Sequence, residues 1–161
     1  MQNQDRNHLL NLSDSDLLKL CRTDNFIATG KGGQKRNKTE SAVRITLKDT
    51  SITATASDDR QQSINKKRAL RRLRLAVAME LREDVETWQG QLDMNPKNQQ
   101  YPQFIACLLD HLLAQQWQVS EAAKSFVLST GKLIKIIAKD DTLWQFINSQ
   151  RQKAGYKPLK R

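Results

Sequence analysis

A chain of 161 residues, 38% hydrophobic and 27% charged, has material for one ordinary domain or two small ones around modest cores. Its net charge of +10 and pI near 9.9 favour polyanions, either nucleic acid or an anionic membrane surface. No run approaches the roughly 20 apolar residues of a helical membrane span, and Met1 to His8 lacks a signal-peptide stretch.

Two distant cysteines, Cys21 and Cys107, form neither a CxxC nor a metal-ligand spacing, and His8 and His111 are the only histidines. The expectation is a cytoplasmic protein with reduced thiols, no metal, no cofactor and no histidine-based triad. Any catalysis must come from another source.

In chain order, Ser13 and Asp14 cap a short first helix over Ser15 to Cys21. Asn25 to Thr29 reads as a strand, and Gly30 to Lys38 as an exposed loop with three glycines and four basic residues. Ser41 to Leu47 alternates Ala42, Arg44, Thr46 against Val43, Ile45, Leu47, the period of a half-buried strand. A turn over Lys48 to Ser51 leads to a second strand over Ile52 to Ala56, which makes an antiparallel hairpin. From Gln62 to about Val85 the period turns helical, with Leu70, Leu73, Val77 and Leu81 on one stripe and Lys67, Arg71 and Arg74 on another face.

The predicted fold class is α+β: a small, mainly antiparallel sheet with one long packed helix and a protruding loop, over residues 1–88. Gln89 to Tyr101, with Gly90, Asn95, Pro96, Asn98 and several glutamines, reads as a polar linker, and residues 102–161 as a small helical domain. Within it Phe104, Leu108, His111 and Leu112 share a helix face that ends near Trp117, and His111 reads as a core-edge group. Ser120 is expected to cap a helix with Glu121 in its first turn. Ala122 to Ile137 has helix-turn-helix spacing, with Leu128 and Ser129 at the second cap and Leu133 and Ile136 or Ile137 facing inward. Val127 stands where that turn often has glycine, so the turn needs strain or another conformation. Asp141 to Gln152 reads as a last helix. Three roles stay open for this segment: a bundle with solvated charges, a module docking on RNA or the ribosome, and a DNA-binding domain.

Charge and motif coincide in the first segment. Between Lys31 and Arg74 stand 13 Lys and Arg against four acidic residues, a footprint suited to a phosphate backbone. The run Thr29-Gly30-Lys31-Gly32-Gly33-Gln34-Lys35-Arg36-Asn37-Lys38-Thr39 resembles the catalytic loop of class I peptide chain release factors. The likeness continues through Ser41-Ala42-Val43-Arg44-Ile45-Thr46 and resumes at Asp59 to Lys66, followed by Ala69-Leu70. It covers about residues 14 to 85. Lys31 replaces the family's usual small residue, and Lys35-Arg36 replace its His-Val; both changes add charge and remove no matched position.

The resemblance implies that Gly32, Gly33 and Gln34 are catalytic. Glycines let the backbone enter a narrow RNA site, the Gln34 N–H can donate where charge develops, and the Gln34 side chain shapes a pocket for water. Ribosomal RNA would complete the centre, which accounts for an enzyme without His, Cys or metal. RNA contacts are expected from Lys31, Lys35, Arg36, Asn37, Lys38, Arg60, Gln62, Asn65, Lys66, Lys67, Arg71 and Arg74. For Arg60, Gln62 and Asn65, capping between hairpin and helix remains an alternative, alone or combined with RNA contact.

Too few residues precede the first expected helix for another domain, and no Pro-x-Thr or Ser-Pro-Phe tripeptide occurs, so stop-codon reading is not expected. The chain looks more like the short relatives that free stalled ribosomes, although those often end in a long basic tail and this one is expected to end in a folded segment. The expected activity is codon-independent peptidyl-tRNA hydrolysis by a monomer whose partners are ribosomal RNA and peptidyl-tRNA, on stalled, damaged or truncated complexes. The alternative is a non-catalytic RNA- or DNA-binding regulator that uses the helix-turn-helix-like segment.

Overall fold

A computed structural model of the chain describes residues 5–29 and 39–161. The chain divides into two compact units, one up to Leu81 and one from Arg82 to Arg161.

The first unit opens with two short helices. In α1 (Arg6–Asn11) the Asp5 side chain accepts from the His8 N–H at 2.9 Å, and Leu9 and Leu10 are buried. In α2 (Asp14–Lys19) Ser13 is the cap, as its position suggests, accepting from the Asp16 N–H at 3.1 Å. Asp14 and Asp16 then sit in the first turn, where acidic groups complement the helix dipole. The first helix therefore begins well ahead of Ser15.

Three strands come next: β1 (Cys21–Phe26), β2 (Ala42–Leu47) and β3 (Thr53–Ala56), antiparallel in that order. The register runs from Cys21 opposite Leu47 to Phe26 opposite Ala42, and from Val43 opposite Ala56 to Thr46 opposite Thr53. The first strand thus lies earlier than Asn25–Thr29. In the β2–β3 turn Asp49 takes φ 59°, a left-handed conformation that Asp tolerates better than most side chains. The Thr50 hydroxyl donates to the Leu47 carbonyl and accepts from the Ile52 N–H.

The alternation in β2 holds from Val43 to Leu47, while Ala42, expected on the outward set, is buried as well. Val43, Ile45 and Leu47 are fully buried, while Arg44 is exposed with its guanidinium 5.0 Å from the centre of the Phe26 ring. Helix α3 (Gln62–Glu80) packs on β2 and β3 through Leu70, Leu73 and Val77, with Ala69 and Ala78 allowing close approach. Truncating a buried leucine such as Leu73 to Ala would cost about 2–5 kcal/mol. The helix stops short of Val85, because Leu81 leaves it with extended backbone while its N–H still bonds to the Val77 carbonyl.

In the second unit residues 82–100 contain no helix or strand but pack on the helices C-terminal to them. Trp88 lies 5.6 Å from the Phe104 ring, Met94 is buried, and the Glu86 carbonyl accepts from Cys107 Sγ and His111 Nε2. The segment expected to be a polar linker, 89–101, is therefore laid against the helices, and Tyr101 already belongs to one. Those helices are α4 (Tyr101–Ala114), α5 (Val119–Ser125), α6 (Thr130–Ile137) and α7 (Asp141–Lys153). Their core contains Phe104, Leu108, Leu109, Leu112, Leu133, Ile137, Leu143 and Ile147. Asp110, 3% exposed, pairs with Arg82 at 3.0 Å. His111 sits edge-on to Phe126 at 4.9 Å, a core position.

Helix α5 starts one residue before Ser120, so Gln118 and not Ser120 is its N-cap. Ser129 does cap α6, accepting from the Lys132 N–H at 3.2 Å. Between them the Val127 N–H bonds to Lys124 O and the Leu128 N–H to Ala123 O, the paired bonds of a Schellman ending. That ending places Val127 at φ 54° with its side chain 93% exposed. A side chain in this region costs about 1–2 kcal/mol relative to the right-handed conformation. The strain anticipated from the sequence is present.

The last residues fold back along α7. Arg151 donates to the Lys157 carbonyl and stacks on Tyr156, the Leu159 N–H donates to Asn148, and Arg161 pairs with Asp141 and lies over Trp144.

Candidate functional site

The eight loop positions Lys31, Gly32, Gly33, Gln34, Lys35, Arg36, Asn37 and Lys38 lie outside the described residues. What is described is the frame that carries them. The loop leaves after β1 and returns into β2, and its base is closed by the pairing of Phe26 with Ala42.

Two side chains of the first turns of α3 grip the returning strand. Gln62 Nε2 donates to the Glu40 carbonyl at 2.8 Å, and Asn65 Nδ2 donates to the Ser41 carbonyl at 2.8 Å. Asn65 also reaches the hairpin-to-helix turn, where it donates to Asp59 O at 2.8 Å and accepts from the Asp59 N–H at 3.0 Å. Its amide therefore joins loop, turn and helix at one point. At 0% exposure Asn65 presents nothing to an RNA, so the expected contact there is replaced by a structural one. Gln62 takes the structural role considered for it by holding the Glu40 carbonyl, and its side chain stays exposed.

The charges on α3 sort into two groups. Arg72 pairs with Asp58 at 2.8 Å and donates to the Thr55 carbonyl, and Arg68 lies 3.6 Å from Asp59. These two arginines answer the acidic pair in the turn. Sequence reading left them unassigned, although the Asp58-Asp59 pair and the spacing of four were visible signals. Arg74, expected to meet RNA, instead turns inward. It donates to the carbonyls of Leu10 and Leu12 and pairs with Asp14 at 2.8 Å, capping the end of α1.

The second group comprises Lys66, Lys67 and Arg71 on the helix, with Arg60 just ahead of it. All four are exposed, and among the described residues none forms a salt bridge. Lys67 and Arg71 stand one helical turn apart on the same face. The surface left for a polyanion is therefore narrower than the sequence suggests, and it begins one residue after the Asp59 turn that Asn65 holds.

Comparison with known proteins identifies the family. The model of the RF-1 domain matches residues 10–101. Peptide chain release factor 1 of Carboxydothermus hydrogenoformans is 48% identical over 65 residues, which is 40% of this chain and 18% of that protein. The Caldicellulosiruptor bescii factor of the same name is 55% identical over 51 residues, 32% of this chain and 14% of the relative. That of Rickettsia akari is 42% identical over 77 residues, 48% of this chain and 21% of the relative. This chain thus spans only about a fifth of the length of these relatives or less. No solved structure matches.

Proposed function

The chain belongs to the RF-1 domain family, and from that premise we propose that it hydrolyses the ester of peptidyl-tRNA on ribosomes without reading a codon. The observation that carries the proposal is the Gly32-Gly33-Gln34 sequence, set in a segment whose return is gripped by Gln62 and Asn65. Ester hydrolysis in an RNA centre needs water, a place for developing negative charge, and little bulk. Paired glycines supply the small bulk, the Gln34 N–H is a donor for that charge, and the Gln34 side chain favours water over larger nucleophiles. A fixed stem serves this chemistry, because misplacement of a reacting group costs rate steeply.

Arg60, Lys66, Lys67 and Arg71 would contact ribosomal RNA phosphates from the helix side, with Lys31, Lys35, Arg36 and Lys38 doing so from the loop. Codon independence is proposed on the likeness to the short relatives that free stalled ribosomes, and the segment C-terminal to the RF-1 region is a helical unit. We assign that helical unit to docking on the ribosome, and the protein to the cytoplasm as a monomer. The test is release of labelled peptide from ribosomes carrying peptidyl-tRNA, with and without a stop codon in the decoding site. Equal release in both cases is expected; release only with a stop codon would refute codon independence, and none in either case would refute the activity.

A further inference from the structure

Two neighbouring residues of the second unit are chosen against the stability of the fold. Val127 occupies the left-handed position of a Schellman ending, where glycine is favoured, and its side chain is 93% exposed, so it gains no core contact in return. Gly131 has the opposite mismatch. It lies in the first turn of α6, where alanine is the better helix former, and a Cβ added there would meet nothing within 4 Å. The fold would be more stable with glycine at the first position and a larger residue at the second. A protruding apolar group and a bare patch of backbone, four residues apart, suit contact with another molecule.

The charge around them identifies its chemistry. Residues 122–139 contain Lys124, Lys132, Lys135 and Lys139 and no aspartate or glutamate. All four lysines are exposed. Glu121 neutralises Lys124, and one carboxylate, Asp93, is shared between Lys132 and Lys139, which leaves a net positive surface. Lys135 lies one turn beyond Gly131 on the same face of α6, and among the described residues it has no ionic partner. Ser129 and Thr130 add exposed hydroxyls that can donate to phosphate oxygens.

We propose that the turn at Val127 and the exposed face of α6 through Gly131 and Lys135 dock on the sugar–phosphate surface of an RNA duplex. The choice of RNA over DNA rests on the peptide-release reading above. A shallow A-form groove offers riboses to the Val127 side chain, and phosphates to Lys135 and the uncovered backbone at Gly131.

The test uses the full chain and a short mixed-sequence RNA duplex, with a DNA duplex of the same sequence beside it. Val127→Gly, Gly131→Gln and Lys135→Glu are each made in the parent and in a Lys67→Glu, Arg71→Glu background, so that the basic face of the first unit does not mask the effect. Val127→Gly is expected to raise the melting temperature and yet weaken RNA binding by about tenfold, the scale of one anchoring side chain. Gly131→Gln and Lys135→Glu should weaken it comparably without unfolding the protein. Unchanged affinity of Val127→Gly and Lys135→Glu in both backgrounds would overturn the proposal, as would tighter binding of the DNA duplex by the parent. Gln34→Ala separates the two readings. It should lose peptide release and keep duplex binding; release retained in that variant would refute the proposed activity, while the duplex-binding results would still decide the role of this surface.

Discussion

The carbonyl of Ser41 accepts a 2.8 Å hydrogen bond from the side chain of Asn65, twenty-four residues further along the chain. The same amide satisfies both backbone groups of Asp59, so one fully buried residue closes three backbone hydrogen bonds. Asn65→Ala leaves these groups without partners, at about 1–3 kcal/mol for each buried group left unpaired. The melting temperature should fall by several degrees, and Gln62→Ala, on an exposed side chain, should cost much less. A melting temperature for Asn65→Ala equal to that of the parent would show that water replaces the amide freely.

That clamp also marks the limit of what the sequence disclosed. The β2–β3 hairpin and α3 were legible because Val43, Ile45 and Leu47 alternate, and Leu70, Leu73 and Val77 repeat at helical spacing. Strand β1 was legible only in its last two residues, because the expected strand began at Asn25. Among the described residues it pairs with β2 alone, and Arg22, Thr23 and Asn25 are exposed, so no alternation appears. Helix α1 was hidden for another reason: six residues carry little local signal, and the arginine that caps it lies more than sixty positions away. The inward course of Arg74 was unreadable from spacing, since Arg71 and Arg74 look alike until α1 is in place. The motif was fully legible and the residues that hold its stem only half so, because Asn65 could equally cap or contact RNA.

Gln34→Ala and Gly33→Ala should each lower peptide release by on the order of 10²–10³, the usual cost of losing a positioned donor or its alignment. Ribosome binding should stay near that of the parent, because such contacts act in the transition state. Single-turnover release alongside an equilibrium binding assay separates the two effects. Equal loss in binding and rate would place the loop among the anchoring contacts.

The two basic groups on α3 should respond differently. Lys67→Glu with Arg71→Glu should weaken ribosome association and flatten its dependence on salt, because fewer counterions are released, while leaving the melting temperature unchanged. Arg74→Ala should do the reverse, lowering the melting temperature by uncapping α1 while barely altering the salt slope. An unchanged slope in the double variant would mean that this face is only solvated.

A chain ending at Leu81 should fold on its own, since α1, α2, the sheet and α3 form one compact unit, in which Arg6 bonds to the Leu81 carbonyl. A chain ending at 101 should behave worse despite being longer. It would bare Trp88 and Met94 and leave the Glu86 carbonyl without Cys107 and His111. Thermal unfolding and size-exclusion profiles of the two truncations check this order.

Asp93 gives the second unit a dependence on acid. Its hydrogen bonds to Lys139 and Lys132 hold the carboxyl below its usual range. A depressed folded value stabilises the protein above the unfolded pKa of about 3.9 and is lost as the pH falls through the folded value. Asp93→Asn should therefore lower the melting temperature slightly near neutrality, and the difference from the parent should vanish on acidification. A difference that persists in acid would assign the effect to packing.

The grip of Gln62 and Asn65 falls on carbonyl oxygens, which every residue type possesses. The exposed side chain at 40 can therefore change without loosening it, while 62 and 65 cannot. The mount tolerates variation in what it holds. A foreign loop grafted between Phe26 and Ala42 would inherit the same fixed return into the sheet, which makes this small unit a transplantable holder for loops of other chemistry.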